Sequence, residues 1–181
     1  MAGQDSDAVE PIIARERLRE RVAELGRQIT HDYAGRPLFL LGILKGSAIF
    51  LADLIREIDL AVDYDFVALS SYGGDTDTSG VVRILKDTTV DVRGRDVLIV
   101  EDIVDTGWTL RMSYLAENLH ARGAASVKVC ALLDKPNRRR VTVNIDYCGF
   151  EIEDEFVVGY GLDHEGRFRN LPFIGTLRLN N

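Results

Sequence analysis

Residues Val97–Leu110 read V-L-I-V-E-D-I-V-D-T-G-W-T-L. Four apolar residues run directly into the adjacent carboxylates Glu101 and Asp102, and Asp105, Thr106, Gly107, Trp108 and Thr109 follow. A continuous apolar run, rather than an alternating one, marks a strand covered on both faces. Beyond it Met112, Leu115, Ala116 and Leu119 recur at helical spacing, which predicts a helix over 109–122 with Gly123 as its C-cap. Strand, short loop and helix form the architecture of an anion site. The first N–H groups of a helix lack partners, and its dipole is positive at that end. Thr106 and Thr109 add hydroxyls, and Gly107 allows the backbone to come close to a ligand.

The acid pair complicates a plain phosphate site, because two carboxylates repel a phosphate unless something lies between. Sugar hydroxyls, which donate to carboxylates, and a divalent cation are the natural go-betweens. The pattern therefore suits a phosphorylated sugar carrying a second charged group together with Mg²⁺. Neither G-x-x-x-x-G-K-[ST] nor G-x-G-x-x-G occurs in the chain, so a nucleoside-triphosphatase or dinucleotide reading lacks its motif.

Working outward, Leu18, Val22, Leu25 and Ile29 predict a helix over about 13–33. L-F-L-L-G-I-L (38–44) reads as a strand, and 47–58 as a second amphipathic helix with Ser47 at its cap. Strands are expected at 61–69, 81–86, 97–100, 126–133 and 141–148, with short strand and turn from Phe156 onward. S-Y-G-G-D-T-D-T-S-G (71–80) is a Gly-rich polar loop. Helices alternating with continuous apolar strands predict an α/β fold with a mostly parallel central sheet covered by helices on both faces. Ligands of such sheets bind at the carboxyl ends of the strands. The expected organisation is a single domain over 1–181, with residues 1–11 frayed.

A length of 181 residues suffices for a core that needs no staples. The net charge of −7 argues against a large non-specific nucleic-acid footprint, and Arg138-Arg139-Arg140 reads as a solvated turn. Cys130 and Cys148 lie in apolar runs without metal spacing and read as reduced thiols of a cytoplasmic protein. The acidic N-terminal stretch does not look like a signal peptide, and no apolar run reaches the ~18 residues of a membrane span.

E-D-I-V-D-T-G-W-T (101–109) resembles the signature of the type I phosphoribosyltransferases. G-I-L-K-G-S (42–47), S-S-Y-G (70–73), L-L-D-K-P (132–136) and D-E-F-V-V-G-Y-G-L-D (154–163) narrow the resemblance to the hypoxanthine-guanine phosphoribosyltransferases. These segments keep the order of that family and span about residues 40–175; the first 35 residues match only loosely. The resemblance implies that family's fold, with a small hood of terminal segments over the sheet, and a usual dimer or tetramer. It also implies transfer of a phosphoribosyl group from phosphoribosyl pyrophosphate to hypoxanthine or guanine, with Mg²⁺.

By the same resemblance Glu101 and Asp102 hold the ribose hydroxyls and Mg²⁺, and Asp105–Thr109 wrap the 5′-phosphate. Asp105 accepts the proton from purine N7, a task suited to a carboxylate. Lys45 and Gly46 belong to a pyrophosphate loop with a cis Leu44–Lys45 peptide, and Arg169 makes a second pyrophosphate contact. Lys135 donates to the 6-oxo group of the purine. Phe156 stacks on the base and Val157 meets its edge through the backbone. Asp163 lies at the far end of the base, near a second Mg²⁺. Ser71 and Tyr72 open the loop that closes over the site. Without the resemblance, L-K-G reads as an ordinary strand-to-helix turn, Lys135 as a solvated turn residue, Phe156 as a core aromatic and Arg169 as a surface arginine. Two other functions compete: a regulator that senses the sugar phosphate while binding nucleic acid, and a transferase for another base such as xanthine or a pyrimidine. The first lacks a basic segment, and L-L-D-K-P and D-E-F-V-V-G-Y-G weigh against the second.

Overall fold

The computed structural model describes residues 9–72, 81–105, 108–138 and 144–178. In chain order the elements are β1 (Val9–Ile13), α1 (Arg15–Asp32), β2 (Leu38–Ile43), α2 (Ser47–Glu57), β3 (Asp63–Tyr72) and β4 (Val81–Lys86). There follow β5 (Asp96–Val104), α3 (Trp108–Ala121), β6 (Ser126–Asp134), β7 (Tyr147–Glu151), β8 (Val157–Val158) and β9 (Ile174–Leu177). Among the described residues no helix is long and apolar enough to cross a membrane.

The central sheet has strand order β4-β3-β2-β5-β6-β7. Every pairing in it is parallel except that of β3 with β4. Its apolar strands are covered on both sides, as expected. Leu40, Leu98, Val100, Cys130 and Leu132 pack with Leu25 and Ile29 of α1 and Phe50 and Leu54 of α2. The intervening residues Phe39, Leu41, Val97, Ile99 and Ala131 pack with Met112, Leu115 and Leu119 of α3. The two faces follow from the two-residue period of a strand. From β2 the chain passes through α2 to β3 on one side; from β5 it passes through α3 to β6 on the other. That reversal opens a crevice between the carboxyl ends of β2 and β5, the usual ligand position in an open α/β sheet.

The chain ends form the hood. β1, β9 and β8 make a separate three-stranded antiparallel sheet, with Val9 opposite Leu177. The expectation that residues 1–11 are frayed is therefore corrected at Val9–Pro11, which lie in a strand; residues 1–8 are outside those described. Of V-E-P-I-I only Ile13 is buried, so the local pattern carries little sign of a strand.

Other boundaries also differ: β3 runs to Tyr72 and so takes Ser71 and Tyr72 out of the loop expected at 71–80. β5 runs on to Val104, because Glu101, Ile103 and Val104 continue the ladder against Ala131, Leu133 and Asp134. The strand expected at 141–148 begins at Tyr147 and reaches Glu151; residues 141–143 are not among those described. Just before it Asp146 accepts the Val129 amide on its side chain, at 2.9 Å, and the ladder starts beyond that clip. Ser47 does not cap α2; its buried hydroxyl donates back to the Ile43 carbonyl at 2.6 Å.

Candidate active site

The first wall of the crevice is the turn after β2. The Leu44–Lys45 peptide is cis, as the resemblance implied. Leu44 N–H donates to the Val67 carbonyl at 2.8 Å, which ties the turn to β3. Gly46 has ordinary helical angles, so its need is for space rather than conformation. A Cβ there would lie 1.5 Å from Asp102 Oδ2. The same peptide is covered from the hood: a Cβ on Gly161, whose φ is +105°, would lie 2.1 Å from the Gly46 carbonyl oxygen. Two glycines thus let β5, the β2 turn and the hood meet at one point.

Glu101 and Asp102 sit inside β5, so their side chains leave opposite faces of the sheet. They are not the side-by-side pair that adjacency in the sequence suggests. Asp102 follows the parity of Leu98 and Val100 and lies against Gly46. Glu101 follows Val97 and Ile99 toward the α3 side; it is 6% exposed, and its Oε2 has no hydrogen-bond partner among the described residues. Burial raises Glu101 well above the usual carboxylate range; the charge of Asp102 adds to the rise, Arg111 works against it and Asp105 adds further. Asp102 keeps some contact with solvent, although protein surrounds most of its carboxylate. Burial pushes it up to about 6, despite the Ile103 amide and the positive charges of Arg169 and Arg111.

This shift has a direct consequence for stability. Folded Asp102 keeps its proton up to about pH 6, whereas the unfolded chain loses it near roughly pH 3.9. The folded state binds more protons in that window, so stability falls as pH rises through it. Asp102→Asn is expected to raise the melting temperature of the ligand-free protein at pH 7.5 by roughly 2–4 °C, about 1 kcal/mol for a chain of this size, with little change at pH 4. Thermal denaturation at the two pH values checks this; an equal loss at both would show that the carboxylate carries no ionisation cost.

The hood supplies the second wall. Arg169 Nη1 donates to the Gly161 carbonyl at 2.5 Å, and its Nη2 pairs with Asp163 Oδ1 at 2.5 Å. Asp163 Oδ2 accepts the Gly166 amide at 2.7 Å. Arg169 is therefore a built part of the crevice rather than a stray surface arginine.

The third wall lies at the ends of β5 and β6. Asp105 follows directly on Val104, whose carbonyl accepts the Lys135 amide at 3.1 Å. Asp105 and Lys135 thus stand at neighbouring strand ends, about 4.8 Å apart at the backbone. Lys135 is 7% exposed, its Nζ donates to the Glu155 carbonyl at 2.6 Å, and it lies 3.9 Å from Asp154 Oδ1. It is not a solvated turn residue. Phe156 is 50% exposed and meets His164 edge-on at 5.3 Å between ring centroids, so it is not a core aromatic. Val157 is buried and pairs with Thr176.

Trp108 and Thr109 begin α3. Thr106, Gly107 and residues 73–80 lie outside those described. Ser71 and Tyr72 end β3 opposite Val82 and Val81. The sequence reading missed Arg111, Tyr160, Gly161 and His164. A basic residue one turn beyond an acidic strand end was the available signal for Arg111; nothing local marks Tyr160 or His164.

Residues 10–165 match the family model described as phosphoribosyl transferase domain. The chain belongs to the phosphoribosyltransferase family. Its similarity to two hypoxanthine-guanine phosphoribosyltransferases spans most of both chains. That of Mycobacterium avium is 51% identical over 92% of this chain and 84% of its own. That of Staphylococcus aureus is 47% identical over 96% of each. A crystal structure of a hypoxanthine phosphoribosyltransferase from Staphylococcus aureus superposes with a TM-score of 0.88 at 47% identity, covering 93% of this chain and 91% of that one. This phosphoribosyltransferase chain is also 49% identical to a bifunctional protein TilS/HprT of Listeria innocua, of which it spans only 26%.

Proposed function

We propose that this chain is a purine-salvage phosphoribosyltransferase that converts hypoxanthine or guanine, with phosphoribosyl pyrophosphate, into the nucleoside monophosphate and pyrophosphate. The observation that carries the reading is the meeting of Asp102, Asp105 and the buried Lys135 at the carboxyl ends of β5 and β6. The 5′-phosphate of the sugar lies at the start of α3, the end of a helix that favours an anion, and is the group assigned to Thr106, Gly107, Trp108 and Thr109. The ribose hydroxyls donate to Asp102, behind which Glu101 lies on the opposite face of β5, and the pyrophosphate meets Lys45, the Gly46 amide and Arg169. The purine stacks on Phe156, its edge against the Val157 backbone, its 6-oxo group on Lys135 and its far side toward Asp163. As N9 bonds to the anomeric carbon and the bond to pyrophosphate breaks, the N7 proton passes to Asp105. The carboxylates stabilise the positive charge that develops on the sugar ring. Ser71 and Tyr72 lead into the loop that shuts water out.

Mg²⁺ fits the residues present. Among the described residues no three of His, Cys, Asp and Glu converge, which suits a cation that keeps waters and substrate oxygens in its shell. The unbonded Glu101 Oε2, and the upward shift of Asp102 that persists despite Arg169 and Arg111, leave both carboxylates with a need for further positive charge. Asp102 would hold one ion, with Glu101 on the opposite face of β5 contributing its charge, and Asp163, with two of its four lone-pair sites taken by Arg169 and Gly166, would hold a second through water. When bound, the cation neutralises the pyrophosphate as it leaves. Activity is expected to vanish in excess chelator and return with Mg²⁺; full turnover in chelator would remove this assignment.

The partners proposed are small molecules and further copies of the chain, as a dimer or tetramer, with no nucleic acid and no membrane; the net charge of −7 supports the first exclusion. The free thiols of Cys130 and Cys148 support a cytoplasmic location. Incubation with phosphoribosyl pyrophosphate, Mg²⁺ and each of five nucleobases tests the function. Nucleotide from hypoxanthine and guanine is expected; product from none, or from a pyrimidine alone, would refute it.

A further inference from the structure

Tyr160 and Asp53 are remote from the reacting atoms, yet they join the two elements that frame the pyrophosphate end of the crevice. Asp53 lies on α2, the helix that begins at the Gly46 turn. Tyr160 precedes Gly161 in the hood, and its hydroxyl donates to Asp53 Oδ2 at 2.7 Å. Tyr160 is 8% exposed, and its φ of +49° is a conformation that a bulky residue seldom adopts. The backbone around it forms one tight unit: Tyr160 N–H donates to the Leu171 carbonyl at 2.9 Å, and Gly161 N–H to the Arg169 carbonyl at 3.0 Å. Displacing Tyr160 therefore displaces Gly161, which lies on the Gly46 carbonyl, and Arg169, which bonds to Gly161.

Tyr160 packs into the core on one side and borders a gap on the other. A cavity of about 510 Å³, lined by Arg19, Ile49, Asp53, Tyr160 and Leu171 among others, lies between α1, α2 and the hood. Beside such a gap the directional contact to α2 sets where the unit sits. Burial, and Asp53 as acceptor, raise the phenol far above its ordinary range, so it stays a donor at every physiological pH.

On the proposed function, we infer that the Tyr160–Asp53 hydrogen bond is a positioning device for the pyrophosphate subsite, holding Gly161 and Arg169 in register with the Lys45–Gly46 turn. It acts chiefly on the sugar pyrophosphate, because Lys135 and Asp105 stand on other strand ends; Asp163, paired with Arg169, is the purine contact it reaches.

Tyr160→Phe and Asp53→Leu each remove the bond, whereas Asp53→Asn keeps an acceptor for the phenol. The first two are expected to raise KM for phosphoribosyl pyrophosphate three- to tenfold with a clearly smaller rise in KM for hypoxanthine, and the Asn variant to stay within twofold of wild type. The double variant should be no worse than either single one, as two ends of one bond require. Hydrogen exchange at the Gly161 amide should quicken in Tyr160→Phe and Asp53→Leu only, which reads the positioning without using catalysis. Unchanged exchange at Gly161, an equal rise in both KM values, or a loss in Asp53→Asn as large as in Asp53→Leu would overturn the inference. A wild-type protein with no transferase activity but with exchange that follows this order would overturn the proposed function and leave the coupling standing.

Discussion

Asp105→Asn is expected to slow glycosyl transfer by roughly 10²–10⁴-fold, the usual range for a lost general base, with substrate binding retained. The position explains the size of the effect. Asp105 is the first residue beyond β5, at the strand end beside that of Lys135, which on the proposed function sets it against the five-membered ring of the purine. Asparagine has the same shape and still offers one carbonyl oxygen to N7–H, but that oxygen cannot take the proton. The nitrogen would then have to bond to the anomeric carbon while the purine still carried its N7 proton, and positive charge would build on the base. A single-turnover experiment separates this step from product release. An unchanged rate there would show that the proton leaves by another route, and weakened binding with normal chemistry would make Asp105 a phosphate-loop residue only.

Lys135→Ala is expected to abolish most activity on hypoxanthine and guanine and to narrow the gap to adenine, which wild type should refuse by as much as ~10⁴-fold. An ammonium has three donors and no acceptor. It makes a charge-assisted bond to a 6-oxo group, whereas adenine's 6-amino group presents a second donor to it. On a solvated turn this mismatch would cost little, because water would intervene. In this structure Lys135 is 7% exposed and oriented by the Glu155 carbonyl at 2.6 Å, so a mismatched base leaves a charge facing a donor in a dry site. Rates with hypoxanthine and adenine for wild type and Lys135→Ala check the assignment. Comparable wild-type rates on the two bases, or a variant that matches wild type on both, would return Lys135 to a structural role.

Much of this molecule follows from local pattern. The apolar runs of β2, β5 and β6 and the stripe Leu18, Val22, Leu25, Ile29 are buried where their periodicity places them, because burial of an amphipathic face is a property of neighbouring residues. The segment 97–110 likewise carries its own chemistry: a buried strand, an acidic end and a helix start are all local, and they mark the ligand end of the sheet before any fold is known. The structure extends that strand to Val104 and thereby turns Glu101 and Asp102 to opposite faces.

What tertiary structure alone decides concerns partners far apart in the chain. β1 is a strand only because Val9 meets Leu177; its own sequence buries too little to show it. Phe156 is half-exposed and Lys135 buried, the reverse of what their types suggest, because the hood lifts the first away from the core and closes over the second. The clearance that makes Gly46 a glycine depends on Asp102, and the contact that seats Gly161 depends on Gly46. Tyr160 meets Asp53 across 107 positions of sequence. A residue's type and local period determine which side of its own element is apolar. They do not determine which other element covers that side, and desolvation, charge pairing and steric clearance, the quantities that make this site, are set by that second element.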